Sequence, residues 1–277
     1  MPGGGIEKGE TPEQAAIRTL GAQKMNEEKF NGKAELYKKF RPSYPKELLD
    51  YLYSQIGFSK DSIIADIGAG TGILSRLFLE RGSIVYAVEP NEDMRETSVK
   101  DLSYYENFTS FNASAENTGL QDNSIDFVTV AQAFHYFDRQ LFKQECKRIL
   151  RHGGKTVIVW NDVDRDSDLI RKSGNIIEKY RIHDKNGNQR SGNLHEFSDF
   201  FIDGIYETKT FGNEFYENRE HFIGGNLSAS YAPNEEVYPE KYLGFIKELN
   251  DLFDEYSVSD MLHFPQITRS YAGIMVI

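Results

Sequence analysis

The sequence predicts an α/β protein built on a doubly wound, mostly parallel seven-stranded sheet with helical cap insertions. Short apolar runs typical of buried strands recur between residues 63 and 163, and segments with helical periodicity separate them. A glycine-rich turn joins the first of these runs to a helix. An acidic residue ends the second run. Strands that alternate with helices in this way are typical of a parallel sheet with helices on both faces.

The first strand and its turn form the most informative stretch of the chain. Residues 63–67 are an apolar run that only Asp66 interrupts. Gly68, Gly70 and Gly72 follow, and glycine tolerates positive φ and a close approach of ligand to backbone. The helix that starts after this turn has unpaired N–H groups and a partial positive charge at its N-terminus. The turn is therefore predicted to bind a nucleotide-like ligand.

The spacing of the glycines narrows the class of ligand. A dinucleotide site needs G-x-G-x-x-G directly after the strand, but the third glycine here comes one position early, at Gly72. Ile73 takes the place where that fingerprint has glycine. A phosphate-binding P-loop would end in Gly-Lys-Ser/Thr, which is absent from this turn. Asp66 suits a ligand with an ammonium or sulfonium group better than it suits a pyrophosphate.

The second strand supplies a ribose-binding candidate. Residues 83–89 read as a strand that ends in Glu89, 23 positions after Asp66. This is close to the ~20-residue spacing of an acid that binds ribose hydroxyls. Asn91 is a plausible N-cap of the next helix. Met94, in the first turn of that helix, is expected to pack on a purine.

Two motifs in this sequence resemble those of a known enzyme family. The pattern Asp-x-Gly-x-Gly-x-Gly at residues 66–72 resembles the first motif of class I S-adenosylmethionine-dependent methyltransferases. Residues 32–45 contain Gly-Lys-Ala-Glu-x-Tyr and then Arg-Pro-x-Tyr-Pro. This segment is similar to the entry segment of a bacterial subgroup of small-molecule methyltransferases. The resemblance extends to the trans-aconitate and ubiquinone-type enzymes, and it implies a Rossmann-like fold.

The resemblance also implies a cofactor site for S-adenosylmethionine. In it, Tyr37 and Arg41 fold over the cofactor, with Arg41 directed toward the cofactor's carboxylate. Ser114 would lie near the adenine amino group, and the backbone of residues 115–116 near the ring nitrogens. The full set of expected cofactor-binding residues is Tyr37, Arg41, Asp66, Gly68, Ala69, Gly70, Glu89, Pro90, Met94, Ser114, Ala115, Glu116, Ala131 and Gln132.

The segment after the fourth strand is predicted to form the floor of the methyl-transfer site. Residues 131–137 leave the strand at its carboxyl end, where open α/β sheets bind ligands. His135 is the candidate general base, because histidine titrates near neutrality. It could instead position the substrate or pack beside its aromatic neighbours. A carboxylate acceptor would need no base, and an arginine would bind it. The candidates for that role are Arg41, Arg139 and Arg219.

The two ends of the chain read differently from its centre. Residues 1–23 resemble the first half of a Nudix hydrolase box, with Thr19, Ala22 and Gln23 where that box has glutamates. Without those carboxylates a magnesium site is not expected, so this segment is interpreted as a fusion remnant or extension. The remaining predicted units are an N-terminal helical lid at 24–56, the cofactor-binding core at 57–165, a helical or loop insertion at 166–200, and the final strands at 201–277 with a cap insertion at about 213–258.

Composition excludes several classes of function. The chain has 277 residues and a formal net charge of −11, which disfavours binding to nucleic-acid phosphates. Its single cysteine rules out an internal disulfide, and its apolar runs are shorter than a membrane span. Cys and His do not cluster at zinc-ligand spacing. A cytoplasmic protein without metal, membrane or nucleic-acid partners is expected, and the oligomeric state is not predicted.

The sequence thus predicts methyl transfer from S-adenosylmethionine to oxygen or carbon of a small-molecule acceptor. A nicotinamide-dependent oxidoreductase is the first alternative, against which Ile73 and the Ser-Ala-Glu segment at residues 114–116 argue. A noncatalytic protein that binds the cofactor or a partner is the second. The predicted cap and the polar side chains of His135 and Asn161 argue against it.

Overall fold

The computed structural model describes residue 32 and residues 34–163, 166–182, 196–229 and 231–276. The predicted extension at residues 1–23, including its Nudix-like half-box, lies outside the described residues. Two helices precede the sheet. They are α1 (Ala34–Phe40) and α2 (Lys46–Tyr51), and α2 continues as a π-helical turn over Leu52–Ile56.

Strands and helices then alternate as the sequence predicts. This part of the chain comprises β1 (Ile63–Ile67), α3 (Ile73–Leu79), β2 (Ile84–Val88), α4 (Glu92–Leu102), β3 (Phe108–Phe111), β4 (Ile125–Ala131), a 3-10 turn (Phe134–Tyr136), α5 (Arg139–Ile149) and β5 (Leu150–Val163). The remaining elements are α6 (Asp168–Tyr180), a 3-10 turn (Ile202–Gly204), β6 (Glu207–Gly212), β7 (Phe215–Glu217), α7 (Arg219–Leu227), α8 (Pro239–Tyr256), β8 (Leu262–Phe264) and β9 (Gln266–Ile274).

Seven strands form one sheet in the order β3-β2-β1-β4-β5-β9-β6. Strands β1 to β5 pair in parallel, whereas β9 runs antiparallel to both of its neighbours, β5 and β6. The predicted mostly parallel, doubly wound sheet is confirmed. The reversal of strand order beside β1 leaves a crevice at the carboxyl ends of β1 and β4, where such sheets bind ligands.

The last strand lies inside the sheet. From the sequence, residues 261–277 could form either an edge hairpin or a seventh strand. The structure shows β9 between β5 and β6, with Ile158 opposite Tyr271, and the sheet edge is β6 instead. Tyr271 and Ala272 are buried in this interior position. The edge hairpin is therefore wrong, because these apolar residues need covering on both sides.

Apolar clusters fill both faces of the sheet. One cluster packs α2 and α3 against β1, and it contains Phe78 and Ile64. The other packs α5 against the opposite face through Phe142 and contains residues before β6, including Phe200 and Phe201. In α3, Leu74 and Phe78 are buried and Leu77 is half-buried, as their helical spacing predicts.

The transition from α5 to β5 differs from the expected glycine turn. The sequence predicts that residues 151–154 form a loop before a strand that starts at Lys155. The strand instead begins at Leu150, and its register against β4 shifts between Ile125 and Phe127. Gly153, with φ of 77°, lies within this irregular stretch. The glycine therefore forms part of a β-irregularity inside the strand.

A third apolar cluster belongs to a cap over the carboxyl edge of the sheet. It joins Leu169 of α6 to Phe222 of α7, Leu262 of β8 and the inner face of α8. Strands β7 and β8 form their own two-stranded sheet within this unit. The sequence separates an insertion at 166–200 from a cap at about 213–258. In the structure α6 packs on α8, so both segments contribute to one cluster.

None of the helices within the described residues is long and apolar enough to span a membrane.

The junction between α1 and the cap provides a test of packing. A Cβ built at Gly224 would lie 2.5 Å from the Phe40 ring, whereas one at Gly225 would come no closer than 3.6 Å to Phe40 O. We expect Gly224→Ala to lower the free energy of unfolding by about 1–3 kcal/mol, because it overpacks this contact. Gly225→Ala, in the same helix, should be neutral or stabilising by up to ~1 kcal/mol. Urea denaturation of both variants measures the difference, and equal stabilities would contradict this description.

Candidate cofactor and acceptor sites

The glycine turn after β1 is held closely against its neighbours. Gly68, Gly70 and Gly72 have φ of 67°, 57° and 81°, the region that glycine adopts without strain. A Cβ at Gly68 would lie 2.6 Å from Ala133 Cβ, and one at Gly72 would lie 2.5 Å from a Leu102 methyl group. At Gly70 nothing lies within 4 Å. The turn therefore needs glycine for packing at its two ends and keeps open space at its centre.

The carboxylate of Asp66 lies beneath this turn. Its side chain is 1% exposed, and its oxygens accept hydrogen bonds from Ser75 Oγ at 2.6 Å and from Thr129 Oγ1 at 2.8 Å. Burial raises the pKa of the Asp66 carboxyl to about 6. Each oxygen accepts from one protein hydroxyl, and the side chain does not line the cavity between the glycine turn and the end of β2. The structure thus differs from the predicted contact with a cationic ligand and gives Asp66 a supporting position.

Glu89 follows β2 directly and turns toward the glycine turn. Its side chain is 8% exposed, and its Oε2 accepts a hydrogen bond from Gly70 N at 2.8 Å. Its Oε1 accepts from Asn91 N, also at 2.8 Å. Two backbone donors therefore fix the carboxylate at the cavity wall. Each carboxylate oxygen has a further lone pair available to a diol.

A cavity opens between the glycine turn, the end of β2 and the segment after β3. Of the fourteen residues predicted to bind the cofactor, eleven line it. They are Tyr37, Gly68, Gly70, Glu89, Pro90, Met94, Ser114, Ala115, Glu116, Ala131 and Gln132. Arg41, Asp66 and Ala69 do not line it. Ala69 instead donates its N–H to Val88 O at 3.2 Å, which ties the turn to β2.

Caps and short turns order the other walls of this cavity. Asn91 Oδ1 accepts from Met94 N at 3.0 Å, which confirms Asn91 as the N-cap of α4. Met94 itself is buried at the cavity wall. On the opposite side, Glu116 Oε1 accepts from Asp138 N at 2.9 Å, and Asp138 caps α5. The segment predicted to contact adenine is therefore fixed to the start of a helix.

A second cavity, of about 450 Å³, adjoins the first beneath the cap. The two share Tyr37, Gln132 and Tyr136 in their linings. Gln132 has φ of 59°, and its Nε2 donates to Asn161 O at 3.0 Å, which fixes its side chain at the boundary. The structure therefore contains two neighbouring chambers with a shared boundary.

His135 lies in the second cavity. Its ring stacks on Trp160 with centroids 5.2 Å apart and contacts Tyr136 at 3.9 Å. Asn161, the next residue along β5, accepts from Thr268 Oγ1 at 2.6 Å and from Asn213 Nδ2 at 3.2 Å. The predicted base is thus among aromatic rings at the carboxyl edge of the sheet, next to a fixed amide.

Of the three arginines considered for a carboxylate, Arg41 lines the second cavity, whereas Arg139 and Arg219 line neither of these two cavities. Its guanidinium lies 5.1 Å from the centre of the Tyr37 ring, and its Nε is buried without a hydrogen-bond partner among the described residues. Arg139 forms an ion pair with Asp199 at 3.3 Å. Arg219 pairs with Asp254 and donates to Asn250 Oδ1. Arg41 therefore remains available for a ligand carboxylate.

Burial also marks the tyrosines at the entry segment. It raises the pKa of both Tyr37 and Tyr44, and the nearby Arg41 guanidinium opposes the rise. Both phenols are therefore neutral at physiological pH. They act as hydrogen-bonding groups and packing surfaces, and neither is placed to serve as an ionised base.

Several residues of the two cavities escaped the sequence analysis. Ala133 and Phe137 line the first cavity beside the glycine turn, and the pattern after β4 did not distinguish their orientation. Glu217, at the end of β7, lines the second cavity. Its position could not be inferred, because it depends on how β7 and the cap fold back over the sheet. Groups of three or more His, Cys, Asp or Glu able to hold a metal ion are absent from the described residues.

The raised pKa of Asp66 predicts a pH-dependent stability. The pKa in the folded protein, about 6, lies above the ordinary value of 3.8, so the folded state holds this proton more tightly than the unfolded chain. This contribution is full below about pH 4 and is lost as the pH rises to about 6. Across this pH range the loss amounts to up to ~3 kcal/mol in the free energy of unfolding. We expect this pH dependence to be absent in Asp66→Asn. Denaturant titrations from pH 4 to 7 measure it.

Asp61→Asn is the matched control, because Asp61 is exposed just before β1 and pairs only with Lys60 and local groups. This variant should retain the wild-type slope. A slope that persists in Asp66→Asn would assign the pH dependence to other groups.

Comparison with known proteins relates the central part of the chain to a protein family. Residues 65–158 match the family model described as a methyltransferase domain. An uncharacterised methyltransferase of Mycobacterium tuberculosis is 36% identical over 148 residues, which cover 53% of this chain and 58% of that protein. An uncharacterised methyltransferase-like protein of Schizosaccharomyces pombe is 30% identical over 161 residues, covering 58% and 62%. The chain therefore spans less than two thirds of these curated relatives.

Solved structures share the fold across a larger part of the chain. The YcgJ protein of Bacillus subtilis superimposes with a TM-score of 0.55 at 18% identity, covering 84% of this chain and all of that one (100%). Phosphoethanolamine N-methyltransferase 2 of Haemonchus contortus gives 0.53 at 15% identity, covering 88% and 57%. These likenesses extend the shared fold beyond the matched domain. Residues 65–158, with the glycine turn, Glu89 and β4, thus match a methyltransferase domain, and the chain shares its fold with these solved structures.

Proposed function

We propose that this protein transfers a methyl group from S-adenosylmethionine to oxygen or carbon of a small-molecule acceptor. The observation that carries the proposal is the pair of adjoining cavities. The first contains the glycine turn and Glu89, and the second lies under the cap. Tyr37, Gln132 and Tyr136 form the boundary through which the two chambers communicate.

The residues of the first cavity suit each part of the cofactor. Glu89 presents carboxylate oxygens to the ribose hydroxyls, and the open space at Gly70 lets the ligand approach the backbone. Met94 provides an apolar surface for the adenine ring, with residues 114–116 on its other side. Arg41 lies beyond this cavity, next to Tyr37, and its Nε is buried without a hydrogen-bond partner among the described residues, so the guanidinium is suited to the cofactor's carboxylate. Asp66 supports the turn without touching the ligand.

The cofactor supplies an already activated methyl group, so the protein mainly has to align the acceptor and exclude water. Holding two reactants in the productive geometry can contribute ~7–11 kcal/mol. Tyr136 and Trp160 pack against His135 and provide apolar ring surface near the boundary of the two cavities. If the acceptor is a hydroxyl or an acidic carbon, His135 is placed to accept its proton. A carboxylate acceptor arrives already ionised and leaves His135 a positioning role.

The size of the second cavity favours a small molecule. Its volume of about 450 Å³ falls within the ~300–1,000 Å³ typical of small-ligand pockets. The chain's net charge of −11 argues against nucleic acid as the acceptor, because phosphate backbones are repelled. We therefore propose a small-molecule partner.

Calorimetric titration with S-adenosylmethionine, S-adenosylhomocysteine and NAD tests the cofactor assignment. We expect micromolar binding of both sulfur nucleotides and no heat with NAD, because Ile73 stands where a dinucleotide fingerprint has glycine. Binding of NAD alone would support an oxidoreductase. Binding of the sulfur nucleotides without methyl transfer to any of a broad panel of small acids, phenols and amines would favour a noncatalytic protein.

Glu89→Ala tests the ribose contact. We expect it to weaken binding of S-adenosylhomocysteine at least tenfold, because the diol loses its carboxylate and Gly70 N loses its acceptor. Glu92→Ala is the matched control, since Glu92 is an exposed acid in the first turn of α4. Calorimetry on both variants gives the comparison. Unchanged affinity in Glu89→Ala would remove Glu89 from the cofactor site.

A further inference from the structure

Glu217 is a buried acid that the proposed methyl transfer does not use. It ends β7, and its side chain is 8% exposed. Phe215, two residues earlier, shares the inward face of the strand, while Tyr216 points to solvent. Both Phe215 and Glu217 line the second cavity. The strand therefore directs this carboxyl into the proposed acceptor chamber.

The Glu217 carboxyl lacks a hydrogen-bonding or charged partner among the described residues. Burial alone raises its pKa, to about 8. Other buried acids of the chain are satisfied by protein donors: Glu145 pairs with Arg148, and Asp66 accepts from two hydroxyls. Burying a carboxyl without a partner is costly, so such a group in a cavity wall is typically reserved for a ligand.

Aromatic side chains form part of the wall of the chamber that Glu217 lines. Phe215 and Phe264 face each other across β7 and β8 with ring centroids 5.5 Å apart. Phe222, Tyr231 and Trp160 line the same chamber. A carboxylate among aromatic faces is the chemistry that proteins use for organic cations, because ring faces attract positive charge. Neither an anion nor a purely apolar molecule would satisfy Glu217.

We propose that Glu217 is the acceptor-recognition residue of the second cavity and that the acceptor carries a positively charged amine, which Glu217 binds. The inference rests on the proposed function, since it names the acceptor of that site. Glu217 does not line the cofactor cavity, so the amine anchors the molecule at the cap side. The methyl-accepting oxygen or carbon then lies at the opposite end, toward His135 and Gln132. The acceptor class is a small apolar or aromatic molecule with a basic amine.

Binding of such a cation is linked to the charge of Glu217. The protonated carboxyl must release its proton to the solvent before it pairs with an ammonium group, so affinity falls as the pH drops below the pKa of Glu217. Glu217 also lines a third cavity, between residues 40–44 and β7. The other charged or titratable groups that line the second and third cavities are Tyr37, Arg41, Tyr44, His135, Tyr136, Tyr216, His221 and Tyr231. Histidine in general gains positive charge at low pH, so a histidine in the wall would weaken cation binding in the same direction.

The experiment compares amines with matched molecules that lack the amine. Protein saturated with S-adenosylhomocysteine is titrated with tyramine and with 4-ethylphenol, and with histamine and 4-ethylimidazole, by calorimetry at pH 8. We expect at least one amine to bind ten times more tightly than its partner. Its affinity should fall roughly tenfold between pH 8 and pH 6.5, where the amine itself stays protonated.

Two variants test whether the carboxylate of Glu217, and not another group of the chamber, causes the preference for the amine. Glu217→Gln keeps the shape of the protonated side chain, and it should abolish the preference for the amine and most of the pH dependence. Glu217→Asp should retain part of the preference. Glu214→Gln is the matched control, because Glu214 is exposed just before β7 and interacts with His263. It should behave as the wild type does.

The outcomes distinguish a failure of the Glu217 proposal from a failure of the proposed methyl transfer. Equal affinities within both pairs, or no binding of any probe, would overturn the proposal for Glu217 while the cofactor site stands. A preference that survives in Glu217→Gln would also overturn it and move the cation site elsewhere in the chamber. Failure of the wild-type protein to bind S-adenosylhomocysteine would instead reject the proposed methyl transfer.

Discussion

The glycine turn clamped to the end of β2 is the constraint on which the rest of the site depends. Gly68 N and Ala69 N both donate to Val88 O, at 2.9 and 3.2 Å, and Gly70 N donates to Glu89. These bonds place the turn, the ribose-binding candidate and the start of α4 within one rigid unit. The glycines make this approach possible, because a side chain at Gly68 or Gly72 would collide with neighbouring residues. Asp66 supports the same unit from below through two hydroxyl hydrogen bonds.

The cap encloses a second cavity beside the cavity at the glycine turn. A doubly wound sheet by itself offers a crevice at its carboxyl edge, open to water. Here α6, α7 and α8 form a separate apolar cluster above that edge and enclose a second chamber beside the cofactor cavity. Helix α1 contacts both α4 of the core and α7 of the cap, so the entry segment connects the two units. Arg41 follows directly after α1, and its position in the wall of the second cavity results from this contact.

Much of the core could be predicted from the sequence, because the patterns that specify its strands, turns and helix starts lie within short segments. The run from Ile63 to Gly72 contains a strand, a turn and a helix start within ten residues, and each follows from side-chain patterning or backbone freedom. The spacing from Asp66 to Glu89 covers one strand-helix-strand unit, so the acid had to come near the turn. The helix cap at Asn91 was likewise predicted from residue type and is present. The direction of the Asp66 side chain was not, because a strand residue can face either side and only its hydroxyl neighbours decide.

By itself, then, the sequence determined the class of fold, the position of the cofactor turn and the identity of most residues around it. Local geometry limits those features, since consecutive residues can only be placed in a few ways. Tertiary structure decided that β9 enters between β5 and β6, that Arg41 lies outside the cofactor cavity and that Glu217 faces the acceptor chamber. These outcomes depend on contacts between segments more than a hundred residues apart, such as α1 with α7. Packing of apolar surface selects among many such pairings, and no short sequence pattern records which one results.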